Sequence, residues 1–181
     1  TTEIYTLSLH DALPIYKITA LPIQIAALQH LETLALDDNF ITEIPPEIST
    51  MPKLEIISAN VNLIKTIPMN WGPNLGILEL QGNLITSIPR CFRYSGQKIY
   101  LCLSNNLIRH IDSNIWKYCG YLVIGKNPLQ YIPAEFFCNE NIVLFARRTL
   151  YHFEISLHFD RNQEMGYCTY DSPSVLDYFF S

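Results

Sequence analysis

Charge is scarce in this sequence of 181 residues: Lys and Arg number 12 and Asp and Glu 17, for a formal net charge of -5. The longest basic cluster is the pair Arg147 and Arg148. Counterion release, the main drive for nucleic-acid binding, therefore has no evident source, and a nucleic-acid partner is not expected. No apolar run approaches the ~20 residues that cross a bilayer, so membrane insertion is not expected either. The five cysteines, Cys91, Cys102, Cys119, Cys138 and Cys168, include no C-x-x-C pair, and none of the thirteen asparagines lies in an N-x-S/T sequon. An odd set of that kind fits free thiols in a reducing, cytoplasmic compartment better than a disulfide framework. Disorder is excluded by the 49% hydrophobic fraction, against only 16% charged residues.

Residues 1 to 15, TTEIYTLSLHDALPI, match the translation of fifteen codons that look like a widely used short-read sequencing adapter. They are expected to be a library artefact, packing poorly over residues 1 to 12 and carrying no function. His10 and Asp11 then have no chemical role, and the native N-terminus, with any leader or upstream domain, lies outside the sequence.

What is abundant is self-similarity. LETLALDDNFITEIP from Leu31, LEIISANVNLIKTIP from Leu54 and LGILELQGNLITSIP from Leu75 align on L-x-x-L-x-L-x-x-N-x-L-x-x-I-P. KIYLCLSNNLIRHID from Lys98 and CGYLVIGKNPLQYIP from Cys119 follow less regularly. The ninth-position residues Asn39, Asn62, Asn83, Asn106 and Asn127 recur at spacings of 23, 21, 23 and 21, a register that composition alone does not produce. A period of this length implies a solenoid. Upstream, ITALPIQIAALQH supplies the back half of another unit, with Leu21 and Pro22 lying 23 residues before Ile44 and Pro45.

Each position has a physical reason. Alternation places the fourth and sixth residues, such as Leu34 and Leu36, Leu78 and Leu80, and Leu101 and Leu103, on the core side of a short parallel strand. The ninth asparagine is expected to enter the turn, its amide bonding backbone groups that the bend leaves unpaired, so that stacked repeats form a ladder. After the Ile-Pro pair the chain returns along the convex side, where Ile25, Ile48, Trp71, Phe92, Ile115 and Phe136 close the core. The shorter units lose residues from this return, which is expected to be extended or tightly turned there, whereas the longer ones have room for a short helical turn. Pro46, Pro52 and Gly96 make long helices unlikely to form in them.

The expected architecture is α/β: a curved parallel sheet on the concave side, an extended or short helical convex side, and a C-terminal capping helix. The divisions are 1–15 as artefact, 16–30 as a repeat remnant, 31–141 as five repeats and 142–181 as a truncated cap. The repeats resemble the leucine-rich-repeat superfamily over residues 18 to 137, specifically its cytosolic branch with the I-P signature. That resemblance implies a fold more than a function. IVLFARRTLYHFEIS, 142 to 156, has apolar residues at near-helical spacing and reads as the capping helix. Through Ala146, Arg148, Thr149, Ile155 and Ser156 it resembles the segment after the last repeat in the animal family called leucine-rich-repeat-containing protein fifty-eight. SPSVLDYFF from Ser172 is similar to that family's L-P-x-x-L-x-x-Y-L, one residue out of step, while EISLHFDRNQEMGYCTYD replaces a shorter linker.

No catalytic constellation stands out. His152, His158, Asp160 and Cys168 match no zinc or nucleophile signature and read as polar residues of a capping loop. Cys102, at an exposed concave position, and Cys119, at a strand edge, lack a basic neighbour and read as inert thiols. Tyr178, Phe179 and Phe180 read as part of a hydrophobic cap rather than a docking peptide. No cofactor and no metal are expected.

The third position carries Thr33, Ile56, Ile77, Tyr100 and Tyr121, an apolar stripe that a purely structural concave surface has no need to expose. Glu32, Asp37, Asp38, Glu55 and Glu79 make its N-terminal half acidic, and Lys126 marks the other end. A non-catalytic module holding a protein partner with a basic portion and an apolar anchor follows, as scaffold or recruiting subunit. The alternative is the recognition arm of a larger enzyme, a kinase or ubiquitin ligase, whose catalytic part lies elsewhere. Packing of the stripe along neighbouring strands is the purely structural account of the same residues.

Overall fold

The computed structural model describes residues 5–9, 18–89, 98–133 and 143–145. Among the described residues, seven strands form one parallel sheet in strictly sequential order: β1 Thr6–Ser8, β2 Thr33–Ala35, β3 Ile56–Ser58, β4 Ile77–Glu79, β5 Ile99–Cys102, β6 Cys119–Val123 and β7 Val143–Phe145. Parallel neighbours need a crossover between them, and here each crossover is the return half of one repeat. The ladder pairs Thr6, Thr33, Ile56, Ile77, Tyr100, Tyr121 and Val143 in one register, so the third position forms a continuous row.

The core is a stack of identical layers. Leu34, Ile57, Leu78, Leu101 and Leu122 point inward from the strands, with Leu36, Ala59, Leu80, Leu103 and Ile124 behind them. Ile25, Ile48, Trp71 and Ile115 are buried opposite, while Phe92 and Phe136 lie outside the described residues.

The returns differ in form. In the 23-residue unit between Asn39 and Asn62, Pro45 precedes a single helical turn, α1 Pro46–Ser49, with Pro46 in its first turn where the missing N–H costs nothing. The next, 21-residue return has no helix. It passes so close to α1 that Gly72 donates its N–H to Ser49 O at 2.9 Å, and a β-carbon there would run into the Met51 carbonyl. The other 21-residue unit takes the tightly turned form of the two expected. It holds a 3₁₀ turn at Ser113–Lys117, started by the Asp112 side chain accepting from Asn114 N–H at 2.9 Å. A 3₁₀ turn also stands at Ile23–Ala27, in a return of the 23-residue spacing, so this form is not confined to the shorter units.

Two terminal segments differ from expectation. Thr6–Ser8 do not pack loosely: Tyr5 O accepts from Glu32 and Thr33 N–H at 2.7 and 3.0 Å, and Leu9 N–H donates to Ala35 O at 2.8 Å. Leu7 and Leu9 alternate inward as Leu34 and Leu36 do, so this stretch satisfies the strand pattern whatever its origin. Within the segment read as a capping helix, Val143–Phe145 are a strand on β6 instead. A strand there pairs the row of β6 backbone groups that would otherwise be an open edge. The remainder of 142–156 lies outside the described residues.

The eighth position has left-handed backbone in every repeat: Asp38, Val61, Gly82, Asn105 and Lys126 have φ between 53 and 68°. Gly, Asn and Asp tolerate this region, but a β-branched side chain is strained there. Val61→Asn is therefore expected to stabilise the protein by about 1 kcal/mol. Thermal unfolding measures it, and an unchanged or lower midpoint would show that Val61 is not strained.

Candidate functional site

The outward row begins with Thr33, half-buried, and continues through Ile56, Ile77 and Tyr100, each also half-buried, to Tyr121, 52% exposed. Neighbouring strands lie about 4.8 Å apart, so the side chains partly shield one another. The Tyr100 and Tyr121 rings are 6.2 Å apart between centroids and tilted by 35°. Burial pushes the Tyr100 hydroxyl above its ordinary range, and nearby Cys102 and Glu79 add to the shift.

Carboxylates line both sides of this row in its N-terminal half. Glu32 and Glu55 are exposed just before it, immediately preceding β2 and β3. Asp37 and Glu79 lie just beyond it, held by a network that spans three strands. The Ser58 hydroxyl lies 2.7 and 2.8 Å from the two Asp37 oxygens and 3.2 Å from Glu79 Oε2. Asn60 donates its backbone N–H to Asp37 Oδ1 at 2.7 Å and its amide to Ser58 Oγ at 3.0 Å and Glu79 Oε2 at 3.3 Å. Gln81 N–H in turn donates to Asn60 Oδ1 at 2.8 Å. Sequence reasoning missed Ser58 and Asn60; their signal was their place at the fifth and seventh positions, between the two acids. Asp38 and Lys126 occupy the left-handed eighth position, at opposite ends of the array.

The thiols differ from the exposed nucleophiles a reactive site would need. Cys102 was expected to be exposed, and by alternation it does face outward. It is nevertheless only 8% exposed, because the longer Glu79 and Gln81 side chains flank it and Gln81 Oε1 comes within 3.9 Å of its sulfur. Burial raises its pKa, and Glu79 adds to the shift against the lowering effect of hydrogen bonds at Ser104. Cys119 is fully buried, its thiol directed to Tyr121 O at 3.1 Å, and burial pushes its pKa up to about 12. A thiol this far above neutrality stays protonated and is a poor nucleophile. His10, Asp11, His152, His158, Asp160, Cys168 and Tyr178 to Phe180 lie outside the described residues.

Beneath the sheet, the asparagines are buried and join each repeat to the one before. The Oδ1 atoms of Asn39, Asn62, Asn83, Asn106 and Asn127 accept from the N–H groups of Ile18, Ile41, Ile64, Ile85 and Ile108 at 2.9 to 3.0 Å. Their amide groups donate to strand carbonyls of the same or the preceding repeat, Asn62 to Leu36 O and Asn83 to Ala59 O, both at 2.9 Å. These bonds hold the turns, and through them the strand ends that carry Asp37, Asn60 and Gln81.

Comparison with known proteins supports this geometry. The family model described as Leucine Rich Repeat matches residues 30–51. No curated relative matches the sequence. Among solved structures, a chain of the octameric complex of Latrophilin 3, Unc5D and FLRT2 (LRR) is 18% identical, with a TM-score of 0.59 over 80% of this chain and 48% of that one. A chain of the Drosophila Toll–Spatzle complex is 20% identical, with a TM-score of 0.57 over 70% of this chain and 19% of that one. The APL1 leucine-rich repeat domain is 17% identical, with a TM-score of 0.53 over 73% of this chain and 34% of that one. The chain thus spans less than half the length of each structure. At these identities the likeness is one of fold. Together with the matched unit at 30–51 and the seven-stranded sequential sheet, it shows that the described residues have the fold of a leucine-rich-repeat solenoid.

Proposed function

We infer that the chain is a protein-interaction module, a scaffold or recruiting subunit of a reducing, cytoplasmic compartment. Its sheet face holds a partner with a cationic portion and an apolar anchor. The observation that carries the reading is the row Ile56, Ile77, Tyr100 and Tyr121, four large apolar side chains in consecutive register beside carboxylates. Interfaces combine such apolar centres with a charged rim, and like-charge mismatch excludes wrong partners. Two of the similar folds are chains of multiprotein complexes, which fits a role in assembly. The reading assigns no catalytic role to the chain.

A photoreactive benzoylphenylalanine placed at Tyr121, and in a second variant at exposed Thr86 beyond the Asn83 turn, tests this in a lysate. One protein is expected to crosslink from Tyr121 and not from Thr86, with a yield that falls as salt screens the carboxylates. Crosslinking from Thr86 alone would place binding on the other side of the solenoid.

A further inference from the structure

The flank of the apolar row changes character at β4. The residue before the row, immediately preceding β2 or β3, is a glutamate, Glu32 or Glu55; preceding β4 it is Gly76. A β-carbon built on Gly76 would meet only the Glu55 carbonyl oxygen, at 3.9 Å, and the residue's φ is outside the left-handed region. The glycine is therefore not needed for the turn or for close packing. In β5 the register shifts between Ile99 and Tyr100, Ile99 turns fully inward, and the exposed Lys98 side chain lies over the flank toward β6, where a β-carbon on Gly120 would meet Lys98 Cβ at 3.2 Å. In β6 the corresponding residue is Gly120. Carboxylates thus wall the row over β2 and β3, the border is bare backbone at Gly76, and Lys98 covers it next to Gly120. Tyr100 stands directly beside the gap, its N–H donating to Gly76 O at 2.8 Å.

We propose that the bare stretch over Gly76 seats one bulky apolar side chain of an extended, cationic peptide segment, packed against Ile77 and Tyr100, with a Lys or Arg of the same segment against Glu55 and Glu32. Charge complementarity selects this occupant. Glu32, Asp37, Asp38, Glu55 and Glu79 make the row's N-terminal half acidic, whereas the lysines Lys98 and Lys126 lie toward its other end. Adjacent strands are about 4.8 Å apart and an extended chain advances about 3.3 Å per residue. The cationic and apolar residues should therefore be about two or three positions apart. The proposal rests on the sheet face being the binding surface, and it goes further by naming the partner's pattern and the residue that selects it.

The test uses a displayed library of random dodecapeptides selected against the full chain, followed by anisotropy titration of the enriched peptides. Peptides with Lys or Arg two or three positions from Leu, Phe or Trp are expected to dominate. Gly76→Leu is expected to weaken them at least tenfold while leaving thermal unfolding unchanged, and Glu55→Gln to weaken them about threefold. If Gly76→Leu unfolds the protein, Gly76→Ala, which adds one carbon into open space, is read instead, with a loss of about threefold expected. Enriched peptides lacking the pattern, or no enrichment, overturn the proposal. Peptides weakened by the double variant Tyr100→Ala, Tyr121→Ala but indifferent to both Gly76 substitutions overturn the seat and leave the sheet face as the binding surface. Indifference to all of these variants overturns both readings.

Discussion

Asn83→Ala is expected to destabilise the protein by about 3 kcal/mol. The side chain accepts from Ile64 N–H at 3.0 Å and donates to Ala59 O, Leu80 O and Gln81 O at 2.9, 3.0 and 3.4 Å. Leu80 O also receives the Asn106 amide at 2.9 Å, so it stays satisfied after the substitution. The Ile64 N–H and the Ala59 carbonyl lose the bonds that Asn83 makes to them. A buried polar group left without a partner costs about 1–3 kcal/mol, and two such groups set the size of the effect. Exposed Gln81→Ala, two residues away, is the control and should stay within about 0.5 kcal/mol of the parent. Urea unfolding distinguishes the pair, because a change in midpoint at constant slope reads stability directly. Equal midpoints for the two variants would remove the asparagine ladder as a determinant of the fold.

Truncation of Tyr100 and Tyr121 to Ala should each weaken partner binding by about 2 kcal/mol or more, roughly thirtyfold per residue. Large amphipathic rings dominate interface energetics because they bury much area while fixing few torsions. Tyr121 is the cleaner probe: it is 52% exposed, so its removal leaves little cavity in the free protein. Tyr100 is half-buried against its neighbours, and its truncation needs a matching unfolding measurement. Because the rings stand 6.2 Å apart, the double variant should lose less than the two single losses added together. Affinity for the protein captured from Tyr121 is the quantity to measure. If both variants bind as the parent does with the fold intact, the partner does not use the sheet face.

The strand register was legible to the residue because the ninth-position asparagine and the two strand leucines repeat independently and agree. The row of Thr33, Ile56, Ile77, Tyr100 and Tyr121 read from the repeat alignment is the row that the ladder pairs. Where a repeat departs from the pattern, alignment alone misleads. KIYLCLSNN aligns with Lys98 in the first place, which Leu31, Leu54 and Leu75 fill with buried side chains, but Lys98 is exposed and Ile99 is buried instead, because burying a charge there would cost more than a shift of register. The burial of Cys102 was illegible for another reason: it depends on the length of side chains one strand away, which alternation does not encode. Apolar residues at 142–156 fitted a helix, yet three of them fall in a strand, since a short apolar run does not distinguish the two without knowing what edge it meets. The left-handed eighth position had a faint signal in Asp38, Gly82 and Asn105, obscured by Val61 and Lys126.

The asparagine bonds also bear on how the molecule comes apart. Each carboxamide serves backbone groups of the repeat before it as well as its own, so opening one repeat strips buried groups in its neighbour of their partners. In a linear array, stability is approximately the sum of each unit's own folding free energy and the coupling between nearest neighbours. Here that coupling has a polar component in addition to the stacked leucines, which raises the free energy of every boundary between a folded and an unfolded unit. Strong coupling of this kind suppresses partly melted states and makes the described repeats, although they touch only their neighbours, behave as one cooperative unit.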